Sequence, residues 1–286
     1  MLTKKLTLLQ ASLMGIALVI VLFPVFWIVM TAIKPPIDWN ASPAIWIPSD
    51  PTVANFQTLF DPGALGSYGV GGVSQTATNA VFGSIFATVI STALSVIIGL
   101  CSAIGISRYS NGSKATPLVI LSGRMFPPAA IAVPFVIIFS NVGLIDSYAG
   151  LIAIYVAVTL PFSTWMLKSF VDDMPREIEE AAMIDGKSKV MAHLTVTIPL
   201  IKGGIFATTM FIFILNWSEF MFALVLSYTH INTIPVQLAK YVTATAGTLY
   251  GVQAALAVLA MVPLVLAGYL IQSHLARGMT FGAIKQ

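Results

Sequence analysis

The sequence predicts an all-α membrane protein of six transmembrane helices with N-terminus and C-terminus cytoplasmic, and three observations carry that reading. Charged residues make up 9% of the chain, against about 25% in ordinary soluble domains. Apolar residues reach 57% over 286 residues, more than a soluble fold could cover. A spanning helix needs about 20 predominantly apolar residues to cross a hydrocarbon core of about 30 Å, and six such runs recur along the chain.

The first run, residues 6–33, holds 28 residues without a charge and follows Lys4 and Lys5. A basic start invites a signal-peptide reading, but an h-region spans only about 7 to 15 residues before a small-residue cleavage site. This run is too long and is expected to remain as a helix. The second lies within 76–107, the third within 116–141 and the fourth within 148–167. The third carries Pro127, Pro128 and Pro134, which break or kink a helix and free backbone groups that must be buried in protein or face water. The fifth covers 199–226, interrupted by Glu219, and the sixth lies within 250–274. No internal repeat or separate soluble domain is visible, so residues 1–286 read as one transmembrane domain.

Orientation follows from the basic residues, because short cytoplasmic loops carry the excess of Lys and Arg. With the N-terminus inside, the cytoplasmic side receives Lys4, Lys5, Arg108, Lys114, Lys168, Arg176, Lys187, Lys189, Lys202, Arg277 and Lys285. The outside receives Lys34 and Lys240, an asymmetry of eleven to two. Arg124 falls near the inner part of the third helix, where its stem can snorkel toward water. This distribution accounts for the net charge of +3 without a nucleic-acid partner. The single cysteine, Cys101, cannot form an internal disulfide and reads as a small core-packing thiol.

Two segments outside the runs have a character of their own. Residues 34–75, outside, are rich in Pro, Gly, Asp and Trp and read as turns, a short helix in "SDPTVANFQTLF" with Ser49 or Asp50 near its start, and a glycine-rich loop. The inner loop, 168–202, holds six of the eleven acids and five of the fourteen bases. In "DDMPREIEEAAMIDG", Asp172 and Asp173 are suitable N-caps and Gly186 a suitable helix end, which predicts a helix of about three turns. Ile178, Ala181, Ala182 and Met183 then provide an apolar or small surface, and Glu177, Glu179 and Glu180 a charged one. A second short helix follows in "KSKVMAHLTV", with Ser188 as its cap, and Pro199 starts the fifth span. A connector of a few residues would join two spans. So large a charged hairpin points to a docking body.

Other chemistry is poorly supported. His193, His230 and His274 show no paired spacing for zinc, and neither G-x-S-x-G nor the G-x-x-x-x-G-K-[ST] phosphate loop occurs. Asp172 and Asp173 read as caps, not as a catalytic pair. No metal site, catalytic residue or cofactor of the chain's own is expected. Glu219, in "FIFILNWSEFMFALVL", is costly in a span unless it faces a polar cavity or partner. Asn216, Ser218, Tyr228 and Thr229 are candidate pathway groups beside it. An ion-coupled secondary transporter or channel is the alternative, and it would favour ionisable groups in several spans. An intramembrane enzyme is a weaker third.

Glu180, Ala181 and Ala182, then three residues, Gly186, nine residues and "VTIP" ending at Pro199 resemble the signature loop of ATP-binding-cassette importer permeases, written EAA, three, G, nine, I-x-L-P. Val196 and Ile198 depart from it conservatively. "KPP", "TVANFQTLF", "RMFPPAAIAVP", "NWSEFMFAL" and "GMTFGAIKQ" extend the similarity to the maltose-type carbohydrate importers, in their MalG-like half. The resemblance implies the type I ABC importer permease fold, paired as a heterodimer with a second permease above two copies of a cytoplasmic ATPase. A sugar-binding protein would dock outside, and ATP and Mg would be bound by the ATPase. It further implies that Glu180, Ala181, Ala182, Gly186 and Pro199 form the coupling helix and its turn, and that Thr280, Gly282 and Lys285 in the tail touch the ATPase. Because the family shares a W-x-E-F pattern whatever the sugar, the resemblance makes Glu219 a structural anchor in preference to a sugar contact.

Overall fold

The computed structural model describes residues 7–61, 63–64, 76–109, 122, 127–243 and 247–282, with the backbone alone for 243 and 273–282. Lys4, Lys5, Lys114, Arg124, Lys285 and most of the glycine-rich loop lie outside the described residues. Helix α1 (Leu8–Ala32) opens with a capping box, Thr7 and Gln10 each bonding the other's backbone N–H. The short α2 (Ala54–Thr58) follows, with Val53 at its N-cap in place of the expected Ser49 or Asp50. Thr52 Oγ1 supplies the local bond instead, accepting from Ala54 N at 3.1 Å. Next come α3 (Ala77–Ile104), continued by a π turn over Gly105–Tyr109, then α4 (Pro128–Asn141) and α5 (Tyr148–Asp172).

The inner-loop segment forms α6 (Arg176–Ile184), α7 (Lys189–Ala192), a second π turn over His193–Thr197 and the single turn α8 (Ile198–Leu200). Then follow α9 (Lys202–Trp217), α10 (Met221–Leu226), α11 (Ile234–Lys240), a hairpin of β1 (Val242–Thr243) with β2 (Gly247–Thr248), and α12 (Tyr250–Gly282).

Among the described residues, four helices are long and apolar enough to cross a membrane: α1, α3 with its π turn, α5, and α12 over Tyr250–Gln272. The helical stretch Lys189–Leu200 meets α9 at a bend of 74°, and counting that pair as one span gives five. α4 is apolar but has only 14 residues, and the start of the predicted third run lies largely outside the described residues. α5 extends past residue 167 to Asp172, so Lys168 belongs to the helix and pairs with Asp172 one turn on.

The chain divides into two compact units. The first combines Met1–Thr78 with Gln237–Val262. In it the orphan carbonyls at the end of α1 are met by the following segment. Asn55 Nδ2 donates to Ala32 O at 2.9 Å and to Lys34 O at 2.8 Å, Thr52 N donates to Ile33 O at 2.8 Å, and Trp39 Nε1 donates to Lys34 O at 3.1 Å. Gly251 lies so close that a Cβ there would fall 2.4 Å from Trp39 Nε1.

The second unit combines Asn79–Val236 with Pro263–Gln286. Its main core joins Ala87 of α3, Phe139 of α4, Leu151, Ile154 and Tyr155 of α5, and Phe222 and Leu226 of α10. Small residues bring helices together, as is usual where lipid offers no hydrophobic drive. Ser95 and Thr159 hydroxyls bond at 2.8 Å, and Gly99 packs on Ser163. Cys101, expected in a core, is exposed. Its neighbour Ala103 takes the inward position with Val96 and Leu167, and an outward apolar side chain is no anomaly on a helix of this hydropathy.

Candidate functional site

The segment between α5 and α9 is a helical hairpin, and its turn follows from Gly186. With Asp185 as C-cap, Gly186 takes φ +91°. Gly186 N donates to Met183 O at 3.0 Å and Lys187 N to Ala182 O at 3.1 Å, the paired bonds of a Schellman motif. Ser188 then caps α7, accepting from Met191 N at 3.3 Å. The start of α6 departs from expectation. Asp172 ends α5, Asp173 is the C-cap of that helix, and Pro175 holds the N-cap position of α6. The residue before a proline disfavours helical backbone, which breaks the helix at Met174–Pro175 and shortens α6 to nine residues.

The buried face of α6 also differs. Ile178 and Ala181 are exposed, whereas Glu179 and Ala182, three apart on one face, are buried. Glu179 turns inward because its charge is met there. Arg108, from the π turn that ends α3, donates Nε to Glu179 Oε2 at 2.7 Å, with both side chains about 5% exposed. Thr197 Oγ1 donates to Glu179 Oε1 at 2.6 Å. Arg108 Nη2 also donates to Val171 O at 2.8 Å and Met174 O at 3.0 Å, and Arg176 Nη2 donates to Ser107 O at 2.6 Å. Tyr109 Oη and His193 Nε2 lie 2.5 Å apart. A cleft of about 190 Å³ opens among Arg108, Arg176, Glu180, Lys189 and His193.

Of the motif residues, Glu180, Ala181, Gly186 and Pro199 are exposed, and Ala182 is 7% exposed. Pro199, expected to start the fifth span, lies in α8, ahead of the bend at Ile201, and α9 starts at Lys202. Arg108 and the inward role of Glu179 escape sequence reading. Their positions lie 71 residues apart, although the three-residue spacing of Glu179 and Ala182 hints at a shared face.

Glu219 sits at a break between α9 and α10. Its carboxylate accepts from Phe222 N at 3.0 Å and Ala223 N at 3.1 Å, capping the first N–H groups of α10, where a negative charge is also favoured by the helix dipole. Asn216 is buried and donates Nδ2 to Thr92 Oγ1 at 3.1 Å, while Ser218 is exposed beside the break. Tyr228 and Thr229 lie elsewhere, in a loop gathered around Asp146. That carboxylate accepts from Tyr228 N and Thr229 N at 3.0 Å, His230 N and Thr229 Oγ1 at 2.8 Å and Ile231 N at 3.1 Å. Partial burial works to raise its pKa. The hydrogen bonds from His230, Tyr228 and Thr229 outweigh it and hold the acid well below the usual carboxylate range. Of the tail, the backbone of Thr280 and Gly282 continues α12, and Lys285 lies outside the described residues.

Several helices long and apolar enough to cross a membrane, with a polar hairpin held by a buried ion pair to a helix end, define a multi-pass membrane protein. The family described as "Binding-protein-dependent transport system inner membrane component" matches residues 95–281. The chain belongs to that family. It is 32% identical over 95% of its length to the sulfoquinovosyl glycerol transport system permease protein SmoH of Agrobacterium fabrum, covering 91% of that protein. To the trehalose/maltose transport system permease protein MalG of Thermococcus litoralis it is 30% identical, over 93% of this chain and 92% of that one. Its fold is similar to a solved bacterial ABC transporter involved in import of the acidic polysaccharide alginate, with TM-score 0.73, 20% identity, and 93% and 94% of the two chains covered.

Proposed function

We propose that this chain is one of two related permease subunits of an ATP-driven carbohydrate importer, forming half of the pathway and coupling it to a separate ATPase. Family membership supports the class, and relatives named for transport of sugars and sugar derivatives support the cargo. On this reading the chain crosses the membrane six times, with both termini and the 168–202 loop cytoplasmic. Two ATPase copies bind beneath and a sugar-binding protein docks outside. ATP and Mg belong to the ATPase; this chain is not an enzyme and holds no cofactor.

The observation that carries the reading is the exposed face of α6. Glu180 and Ala181 lie open on a hairpin whose other face is bonded to Arg108 at the end of α3, which also bonds the end of α5, so a body pressing there is linked to the spans. Arg108, Arg176, Lys187 and Lys189 gather at that same end, which supports a cytoplasmic placement. Glu180 and Ala181 would contact the ATPase, Gly186 would set the turn, and Thr280, Gly282 and Lys285 would touch the ATPase from the tail. Ion coupling has less support, since the acid it would use, Glu219, is engaged by the backbone of α10.

Reconstituted in vesicles with a second permease, the ATPase and the binding protein, the complex should hydrolyse ATP faster when sugar-loaded binding protein is added. It should accumulate that sugar only with ATP. Uptake driven by an ion gradient without ATP would overturn the reading.

A further inference from the structure

We propose that Arg108 is a positioning residue of the transport cycle, making the α6–α7 hairpin and the adjoining ends of α3 and α5 one rigid body, so that displacement of the hairpin moves those helices together. The proposal rests on reading this chain as the permease of an ATP-driven importer.

The contacts divide the work unusually. One guanidinium, on the π turn ending α3, meets three segments: Nε bonds Glu179 of α6, and Nη2 bonds Val171 O in the last turn of α5 and Met174 O in the link to α6. The exchange is returned by Arg176, which starts α6 and donates to Ser107 O beside Arg108. Burial of both charges, at 6% and 5% exposure, requires full desolvation. Such a pair is seldom more stabilising than apolar side chains of the same volume. Its advantage is direction, because the planar fork of arginine fixes several acceptors at once where an ammonium cannot.

Within α6 the buried side chains are those of Glu179 and Ala182. Ile178, Glu180, Ala181 and Ile184 of α6 are exposed; further links run from Tyr109 of the first π turn to His193 of the second and from Thr197 of the second π turn to Glu179 of α6. π turns are rare and concentrate at functional positions. Both of those found among the described residues meet here.

The test uses the full complex of the chain with its second permease, ATPase and binding protein in vesicles, reading sugar imported per ATP hydrolysed. Arg108→Lys keeps the charge and loses the fork. It should assemble with the normal complement of ATPase, yet import about tenfold less sugar per ATP. Glu179→Gln, which retains an acceptor for Thr197, should show the same fault, and the double variant should be no worse than Arg108→Lys alone, as expected for one shared interaction. An unchanged ratio in assembled Arg108→Lys complex would overturn the proposal. So would loss of assembled complex in both single variants, which would make the pair structural only. Wild-type complex in which sugar and binding protein leave ATPase unaffected would instead strike the importer reading itself.

Discussion

Glu179 and Glu180 adjoin in the chain and differ in surroundings: one is buried against Arg108 and the other faces out. The same contrast separates Ala182 from Ala181, and it splits the effects expected of substitution. Ala182→Asp would bury a carboxylate inside the hairpin at a cost of roughly 2–5 kcal/mol. Limited proteolysis should show the 176–200 segment opened even without a partner. Glu180→Lys should leave that segment protected while weakening ATPase retention on the purified complex. Asp146 gives a second residue-scale test. Its folded pKa is depressed, so its contribution is complete above the ordinary carboxylate pKa of about 4 and fades as pH falls below that value. Asp146→Asn should lower stability by about 1–3 kcal/mol between pH 5 and 8, read as a fall in thermal midpoint in detergent. The difference should narrow in stronger acid, and an unchanged midpoint at neutral pH would show the loop needs no such anchor. The spacing from Glu180 to Pro199 is legible in sequence because it is local. The burial of Glu179 is not, because the charge that draws it in comes from a residue 71 positions away, and no periodicity encodes a partner so distant.

At the scale of elements, four of the six apolar runs return among the described residues as helices of spanning length, since an apolar run of that length has few alternatives to a helix. Ends transfer less well. α5 passes residue 167 because its last turns are held by Lys168 with Asp172 and stop only before Pro175. The fifth run divides because Glu219 offers its carboxylate to the backbone, a competition that hydropathy does not register. Contact between α3 and α5 depends on a missing side chain. A Cβ on Gly99 would lie 2.4 Å from Ser163 Oγ and 2.9 Å from its Cβ. Gly99→Ala should therefore destabilise the detergent-purified protein by about 1–3 kcal/mol. Adding Ser163→Ala should restore only part of that, because the oxygen is removed and the Cβ remains. Full tolerance of Gly99→Ala would mean that α3 and α5 slide apart freely.

For the whole molecule, composition alone separates this chain from soluble proteins, and the basic residues add a direction. Reporter fusions placed after Gln286 and within residues 63–72 should report opposite sides of the membrane. Matching signals would sink the six-span topology. The two interruptions that bound α9 have a mechanical consequence. At one end the chain turns through 74° at Ile201, and at the other it stops at Ser218 before α10 begins. Between them stand 16 residues, a rod of about 24 Å, with the regular helix interrupted at both ends. A tilt of that rod tears no backbone hydrogen bond within it. What resists its swing is the set of contacts along its side, among them Gly204 against the ring of Phe170, Phe211 edge-on to Phe162 and Asn216 bonded to Thr92, so the stiffness of this crank is set largely by packing.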